Sequence, residues 1–239
     1  MPRPRTHDEK LRLRLLDEGG RLLAGEGPAA LTTRGLAERA QTSSSAVYTL
    51  FGDKSGLIRA MFVEGFRRLA RRFAEVDRTD SPLADLAALG EAFRANARAN
   101  PHLYDLMFGN PFPDVQPEDS EAQEAMASFE ALVDAVQRCL DEGVIPAATD
   151  AGDVAMVLFG LVQGLASLEL KGWLGSPEEA DRRWALALDA PLHGLSVQSS
   201  TGPQVPAPRP AELREPTDGR GGACDGGTEV RGPACRRGE

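Results

Sequence analysis

β-Branched and aromatic residues are scarce in this chain. Its 239 residues include 2 Ile and 13 Val against 34 Ala and 29 Leu, and only 5% are aromatic. Ala and Leu are strong helix formers whereas β-branched and aromatic side chains favour strands, so a mostly β fold is excluded and an all-α fold of about nine helices is expected. Cysteine is almost as rare. Cys139, Cys224 and Cys235 form an odd set with no CxxC pair, so neither a zinc site nor a disulfide scaffold is expected. The opening Met1-Pro2-Arg3-Pro4-Arg5 runs into charged residues without the apolar stretch of a secretory signal. The longest apolar stretch, Val154 to Leu168, is interrupted by Gln163 and falls short of the ~20 residues that span a bilayer. A cytoplasmic protein with no membrane partner is the expectation.

The net charge of −9 argues at first against an anionic partner, but it averages over unlike regions. Residues 1–78 carry 15 basic against 10 acidic side chains, and residues 79–198 carry 6 against 20. A basic N-terminal third ahead of an acidic body is the asymmetry expected when one segment meets a polyanion. Residues 199–239 are neutral, with 8 Gly, 6 Pro and no aromatic residue. Such a segment buries too little surface to offset its ordering entropy, so a disordered Gly/Pro-rich tail is expected there.

Apolar stripes place helices along residues 7–198. One runs through Leu11, Leu15, Leu16, Leu22 and Leu23, and a longer one through Leu57, Ile58, Met61, Phe62, Phe66, Leu69 and Phe73. Ser81-Pro82 and Asn100-Pro101 each read as a capping residue followed by Pro at the first helical position. Phe129, Leu132, Val133, Val136 and Leu140 form another stripe, and Asp150 opens a strongly apolar helix through Lys171. Ser176-Pro177-Glu178-Glu179 is a capping box at the start of the last helix.

Residues 32–51, TTRGLAERAQTSSSAVYTLF, carry the most information. Leu36, Ala37 and Ala40 give one apolar face to a short helix that Thr32 can cap. Gln41-Thr42-Ser43 is a polar break, and a second short helix with Val47 and Phe51 inward starts at Ser43 or Ser44. Two short helices joined by a tight turn form a helix-turn-helix, whose second helix enters the major groove. Its outward Ser44, Ser45, Tyr48 and Thr49 suit phosphates and base edges, and Lys54 just beyond can neutralise a phosphate. Thr33, Arg34 and Ser43 complete the expected DNA-contacting set, with Arg3, Arg5, Lys10, Arg12 and Arg14 as a basic arm nearby.

The order Thr32, Thr33, Leu36, Ala37, Ala40, Ser43, Val47, Tyr48, Phe51, Lys54 and Leu57 resembles the N-terminal pattern of the tetracycline-repressor (TetR) family of bacterial transcription regulators. Gln41-Thr42 replaces the usual Gly-Val of the turn, where Gly tolerates positive φ. The resemblance implies a helix-turn-helix domain over 1–55, with the motif at 32–51, and a ligand-binding and dimerisation domain over 56–198, followed by the tail at 199–239. It also implies a homodimer that reads a pseudo-palindromic operator in double-stranded DNA, a repressor released by a small-molecule ligand.

No catalytic constellation is visible in 79–198. His7, His102 and His193 lie far apart, and there is no nucleophile elbow, phosphate loop or Cys-His pairing. No enzyme, metal site or cofactor is expected, and Glu118-Asp119-Ser120-Glu121 with Glu124 reads as a solvated helix start. The segments Leu103 to Gly109 and Phe159 to Gly164 resemble the WHG type of TetR C-terminal domain, with Phe159 and Gln163 where Trp and His usually stand. A mostly apolar pocket for a hydrophobic effector is expected among Tyr104, Met107, Phe108 and Met126, together with Phe129, Phe159, Gln163 and Trp173. The helix from Asp150 to Lys171 is apolar nearly all round, so a dimer interface is expected at Leu161, Leu165 and Leu168 with Trp184, Leu188 and Leu192 of the last helix. The competing reading is an all-α small-molecule-binding or interaction protein that does not bind DNA.

Overall fold

The structure, a computed structural model, describes residues 5–146 and 150–197; within them lie nine helices and no strand. They are α1 (Arg5–Glu26), α2 (Thr33–Arg39), α3 (Ser44–Phe51), α4 (Lys54–Ala74), α5 (Pro82–Ala99), α6 (Pro101–Phe108), α7 (Asp119–Asp141), α8 (Ala151–Leu170) and α9 (Pro177–Val197). The expected tail at 199–239, with Cys224 and Cys235, and Arg3 of the basic arm lie outside the described residues.

Helix starts follow local chemistry. The Thr32 hydroxyl accepts from Gly35 N–H at 3.1 Å, and that of Ser43 accepts from Ala46 N–H at 3.1 Å. Asp53 and Asp150 do the same for Gly56 at 2.7 Å and Asp153 at 2.9 Å. The Ser176 box closes in both directions, Ser176 N–H to Glu179 at 2.8 Å and Glu179 N–H to Ser176 at 3.3 Å. Ser81 and Asn100 depart from expectation: Pro82 and Pro101 stand at the helix starts, but neither preceding side chain caps. The Asn100 amide instead donates to Asn96, and its carbonyl oxygen accepts from Arg68 of α4 at 2.8 Å.

The acidic start of α7 is also more than a solvated end. Arg59 reaches Glu118 at 3.1 Å and Glu121 at 3.2 Å, and Arg67 pairs with Glu124, so α7 is clamped onto α4. On the other side of α4, Arg68 pairs with Asp17 of α1 at 2.7 Å. The buried Glu64 carboxylate accepts from Arg68 and Arg71, each at 2.9 Å. α4 is therefore tied by charge to the helices before and after it.

The core follows the same continuity. One cluster runs from Leu15 of α1 through Leu36, Val47 and Leu57 to Phe93, Leu103 and Trp184. A second gathers Leu86, Leu132, Val136, Ile145 and Val154 from α5, α7 and α8 with the loop before α8. The 55/56 boundary expected between domains falls in the first turn of α4, and the first cluster passes across it.

α8 is longer than its central apolar stretch, at 20 residues with a mean hydropathy of 1.6, and so has the length and composition of a bilayer-crossing helix. Here it packs against α5, α7 and α9 and leaves Met156, Val157 and Leu168 exposed.

Candidate nucleic-acid interface

The turn between α2 and α3 depends on Gln41, whose φ is +50°. This is left-handed backbone, and it lets Thr42 N–H close back on the Ala37 carbonyl at 2.9 Å. With Leu36, Ala37, Ala40 and Val47 buried, the opposite faces of α2 and α3 are turned to solvent. Ser45, Tyr48 and Thr49 are exposed there, Tyr48 at 53%, and Ser44 is half-buried.

Thr33 at the start of α2 lies beside Tyr48, hydroxyl to hydroxyl at 3.4 Å, so two expected DNA-contacting residues from different helices meet. Arg34 is fully outward and pairs with Glu38 at 3.0 Å, an exposed pair of little energetic worth that a phosphate can displace. Two hydroxyls already have local duties. Ser43 caps α3, and Thr49 donates to the Ser45 carbonyl at 2.8 Å. Each still has lone pairs for a partner that donates.

Lys54 is exposed at the start of α4, where its ammonium approaches the Pro28 carbonyl at 3.5 Å and lies 5.6 Å from the Phe112 ring centroid. Of the expected basic arm, Arg5, Lys10, Arg12 and Arg14 belong to α1 itself. Lys10 and Arg14 are exposed, whereas Arg12 is half-buried, over the Phe51 ring and near Glu9.

One residue of this region escaped the sequence reading. A Cβ on Gly56 would overlap the Phe51 carbonyl oxygen, so the first turn of α4 sits against the last turn of α3 at a distance only glycine permits. The available sign was a glycine between a capping Asp53 and the buried Leu57.

The expected effector pocket is gathered only in part. Phe93, Tyr104, Phe108, Phe129 and Phe159 stack edge-on through the middle of the body. A narrow apolar cavity of about 30 Å³ opens among α5, α7, α8 and α9, beside Phe159, Leu161, Val162, Leu188 and Leu192. Tyr104 is buried and donates to the Gln163 carbonyl at 2.6 Å, and burial pushes its phenol well above the ordinary tyrosine range. The Gln163 side chain does not line that cavity, so the expected amide is missing from it. Met107 and Phe108 line a different cavity, against α4. Met126 and Trp173 are on the surface, 49% and 70% exposed, and line neither of these cavities. Trp173 ends up there because it follows the end of α8, in the turn before α9.

The residues expected at the interface fall into two groups. Trp184 has no exposed surface at all: it is roofed by Arg94, whose guanidinium lies 5.3 Å from the ring centroid and pairs with Glu169 and Asp181, each at 2.7 Å. Leu192 is buried too, and Leu188 packs over Gly90 of α5. These three face inward because α9 lays its apolar stripe on α5 and α8 of its own chain. Leu161 and Leu165 are half-buried, and Leu168 is exposed on α8, as are Met156 and Val157 about three turns earlier.

Among the described residues no group of His, Cys, Asp or Glu has the arrangement of a metal site. Cys139 is fully buried, which pushes its thiol up to about 11.

Residues 15–61 match the family of bacterial regulatory proteins, tetR family, and residues 86–191 match the tetracyclin repressor-like C-terminal domain. An HTH-type transcriptional regulator of Mycobacterium tuberculosis is 29% identical over 155 residues, which cover 62% of this chain and 65% of the relative. The chain thus spans just under two thirds of that relative. An uncharacterized HTH-type transcriptional regulator of Bacillus subtilis is 28% identical over 153 residues, 62% of this chain and 78% of the relative. A solved structure of a protein of unknown function from Rhodococcus sp. RHA1 superimposes with a TM-score of 0.66 at 30% identity, over 78% of this chain and 95% of that one.

Proposed function

This chain belongs to the tetR family of bacterial regulatory proteins, and we propose that it is a dimeric, sequence-specific DNA-binding regulator of transcription, acting as a repressor in the cytoplasm. The observation that carries this reading is the solvent face shared by α2 and α3. Thr33, Ser45, Tyr48 and Thr49 stand together there, Thr33 meeting Tyr48 across the two helices and Thr49 bonded within α3, and Arg34 and Lys54 flank them. A helix N-terminus capped by Ser43 adds N–H groups and a partial positive charge toward phosphate. Two such helices about 34 Å apart in a twofold dimer read the two halves of a pseudo-palindromic operator.

The dimer face that fits best is the exposed apolar surface of α8 at Met156, Val157 and Leu168, extended by Leu186 of α9. Leu161 and Leu165 flank it and are the interface residues retained from the sequence. The effector is a hydrophobic small molecule entering the apolar cavity among α5, α7, α8 and α9 by parting those helices. Tilting α4 would then change the spacing of the two α3 helices, with a coupling of about 1–3 kcal/mol, or 5–150-fold in operator affinity.

Selection of genomic DNA fragments by the intact protein tests the reading. A recurrent palindromic sequence is expected, and its binding should weaken steeply between 50 and 200 mM salt. Lys54→Ala should reduce the logarithmic salt slope by about one. Selection that returns no preferred sequence overturns the regulator and favours an all-α ligand-binding protein. Sedimentation of a monomer at micromolar concentration overturns the dimer.

A further inference from the structure

A second cavity, of about 270 Å³, lies between the first turns of α4, the end of α6 and the loop at 109–118. It shares no residue with the narrow cavity of the body. Its walls are mostly apolar and rich in rings, with Phe62 from α4, Met107 and Phe108 from α6, and Phe112 and Val115 from the loop, and the loop adds the amides Asn110 and Gln116 at its polar side. Arg59 is its one charged residue. The guanidinium pairs with Glu118 at 3.1 Å, and its buried Nε lies 3.2 Å from a Glu121 oxygen but out of hydrogen-bonding alignment with it. A buried donor whose nearest acceptor is misaligned forgoes part of a hydrogen bond, so a molecule that brings a well-directed acceptor gains more than a contact of equal area elsewhere.

We propose that this cavity is a binding site for a small aromatic molecule carrying one neutral hydrogen-bond acceptor, a carbonyl or ether oxygen, which Arg59 takes. The ring-lined walls call for an aromatic body, and the volume, just under the usual range for drug-sized ligands, suits a single ring with a short substituent. Neutrality follows from the local charge. Two carboxylates already face the one guanidinium, so a ligand carboxylate would meet net repulsion.

The site has a route to the DNA-facing side. Phe112 forms one wall, and the Lys54 ammonium rests over that same ring. A ligand that repacks Phe112 changes how Lys54 is held. This consequence, unlike the binding itself, rests on the proposed DNA-reading role.

Methionine methyl NMR on the full chain tests the binding without DNA, so its outcome is separate from that of the regulator reading. With ¹³C-methyl methionine, acetophenone is titrated first and ethylbenzene, which lacks the acceptor, second. A saturable shift of the Met107 methyl is expected with acetophenone, with Met156 on the far surface unmoved. Ethylbenzene should bind about tenfold more weakly or worse. Arg59→Met should bring acetophenone to the ethylbenzene level, and Val115→Trp, which fills the cavity and leaves Arg59 in place, should abolish the shift. The proposal is overturned by no saturable Met107 shift, by equal affinity for the two probes, or by an acetophenone response that survives Val115→Trp.

Discussion

Polar side chains are used in opposite ways at the two ends of this molecule. On α2 and α3 they are mostly exposed, and several bond to near neighbours in sequence, Arg34 to Glu38, Thr49 to Ser45 and Ser43 to Ala46, while Arg39 of α2 reaches Glu26 of α1 on the open surface. In the body they are buried and bonded across the fold. Arg94 of α5 joins Glu169 of α8 and Asp181 of α9, and Arg138 of α7 joins Asp85 of α5 and the Thr79 carbonyl. An exposed local partner can be exchanged for a phosphate at small cost, whereas a buried cross-link cannot be given up without leaving a charge stranded. The head is thus built to change partners and the body to keep them. α4 belongs to both, with Lys54 at one end and the Glu64, Arg68 and Asp17 network farther along.

The sharpest trial of this contrast pairs Arg94→Ala with Arg34→Ala. Loss of Arg94 strands the Glu169 carboxylate, itself largely buried, and should lower unfolding free energy by about 3–5 kcal/mol in urea titration. Loss of Arg34 should change it by less than about 0.5 kcal/mol while weakening DNA binding. Equal destabilisation by the two would erase the distinction between head and body.

Gly56→Ala asks whether the head is as adaptable in its backbone as in its side chains. Alanine gains about 0.5–1 kcal/mol in helix propensity, but its Cβ would overlap the Phe51 carbonyl. Overpacking of this kind costs about 1–3 kcal/mol, so a net loss of stability is expected. DNA affinity should fall further than stability, because α3 must turn relative to α4 to make room. Unchanged affinity would mean that the α3–α4 junction does not position the reading helix.

Much of this was legible in local sequence. Thr32, Ser43, Asp150 and Ser176 cap as their positions suggest, since a cap is decided within three residues. The outward face of α3 followed from the inward Val47. What was not legible depends on long-range neighbours. The stripe of Trp184, Leu188 and Leu192 shows that α9 buries one face, but not that the face meets its own α5 and α8 in place of a second copy. The Arg59 clamp joins residues nearly sixty positions apart, so Glu118 and Glu121 looked solvated. Asn100 looks like a cap in local sequence, whereas its partner Arg68 lies on another helix.

Where the two regions meet, α1 against α6, a titrating group makes a subtler trial. His102 lies 3.5 Å from Asp17 with its ring against Gly20, and burial, joined by Arg68 and Arg21, lowers its pKa against the pull of Asp17. A base with a lowered folded pKa favours the neutral form, so the unfolded chain takes up the proton first as pH falls. Its contribution is complete above about pH 6.5 and declines as pH drops below that toward the folded value. Stability of the wild type should therefore slope downward below pH 6.5 in excess of carboxylate effects, and His102→Gln should flatten that part of the curve. An unchanged slope would show that the junction does not sense this proton.

The smallest expected effect concerns the turn itself. Gln41 holds φ at +50°, where a side chain costs about 1–2 kcal/mol over right-handed backbone. Glycine removes that strain but loses about 0.5–1 kcal/mol more in ordering entropy. Gln41→Gly should therefore raise stability by a few tenths to about 1 kcal/mol, with α3 unmoved and DNA affinity unchanged. A substitution that stabilises the head and weakens its DNA binding would show instead that strain at the turn helps to aim α3, and that the head, like the body, has one geometry it must keep.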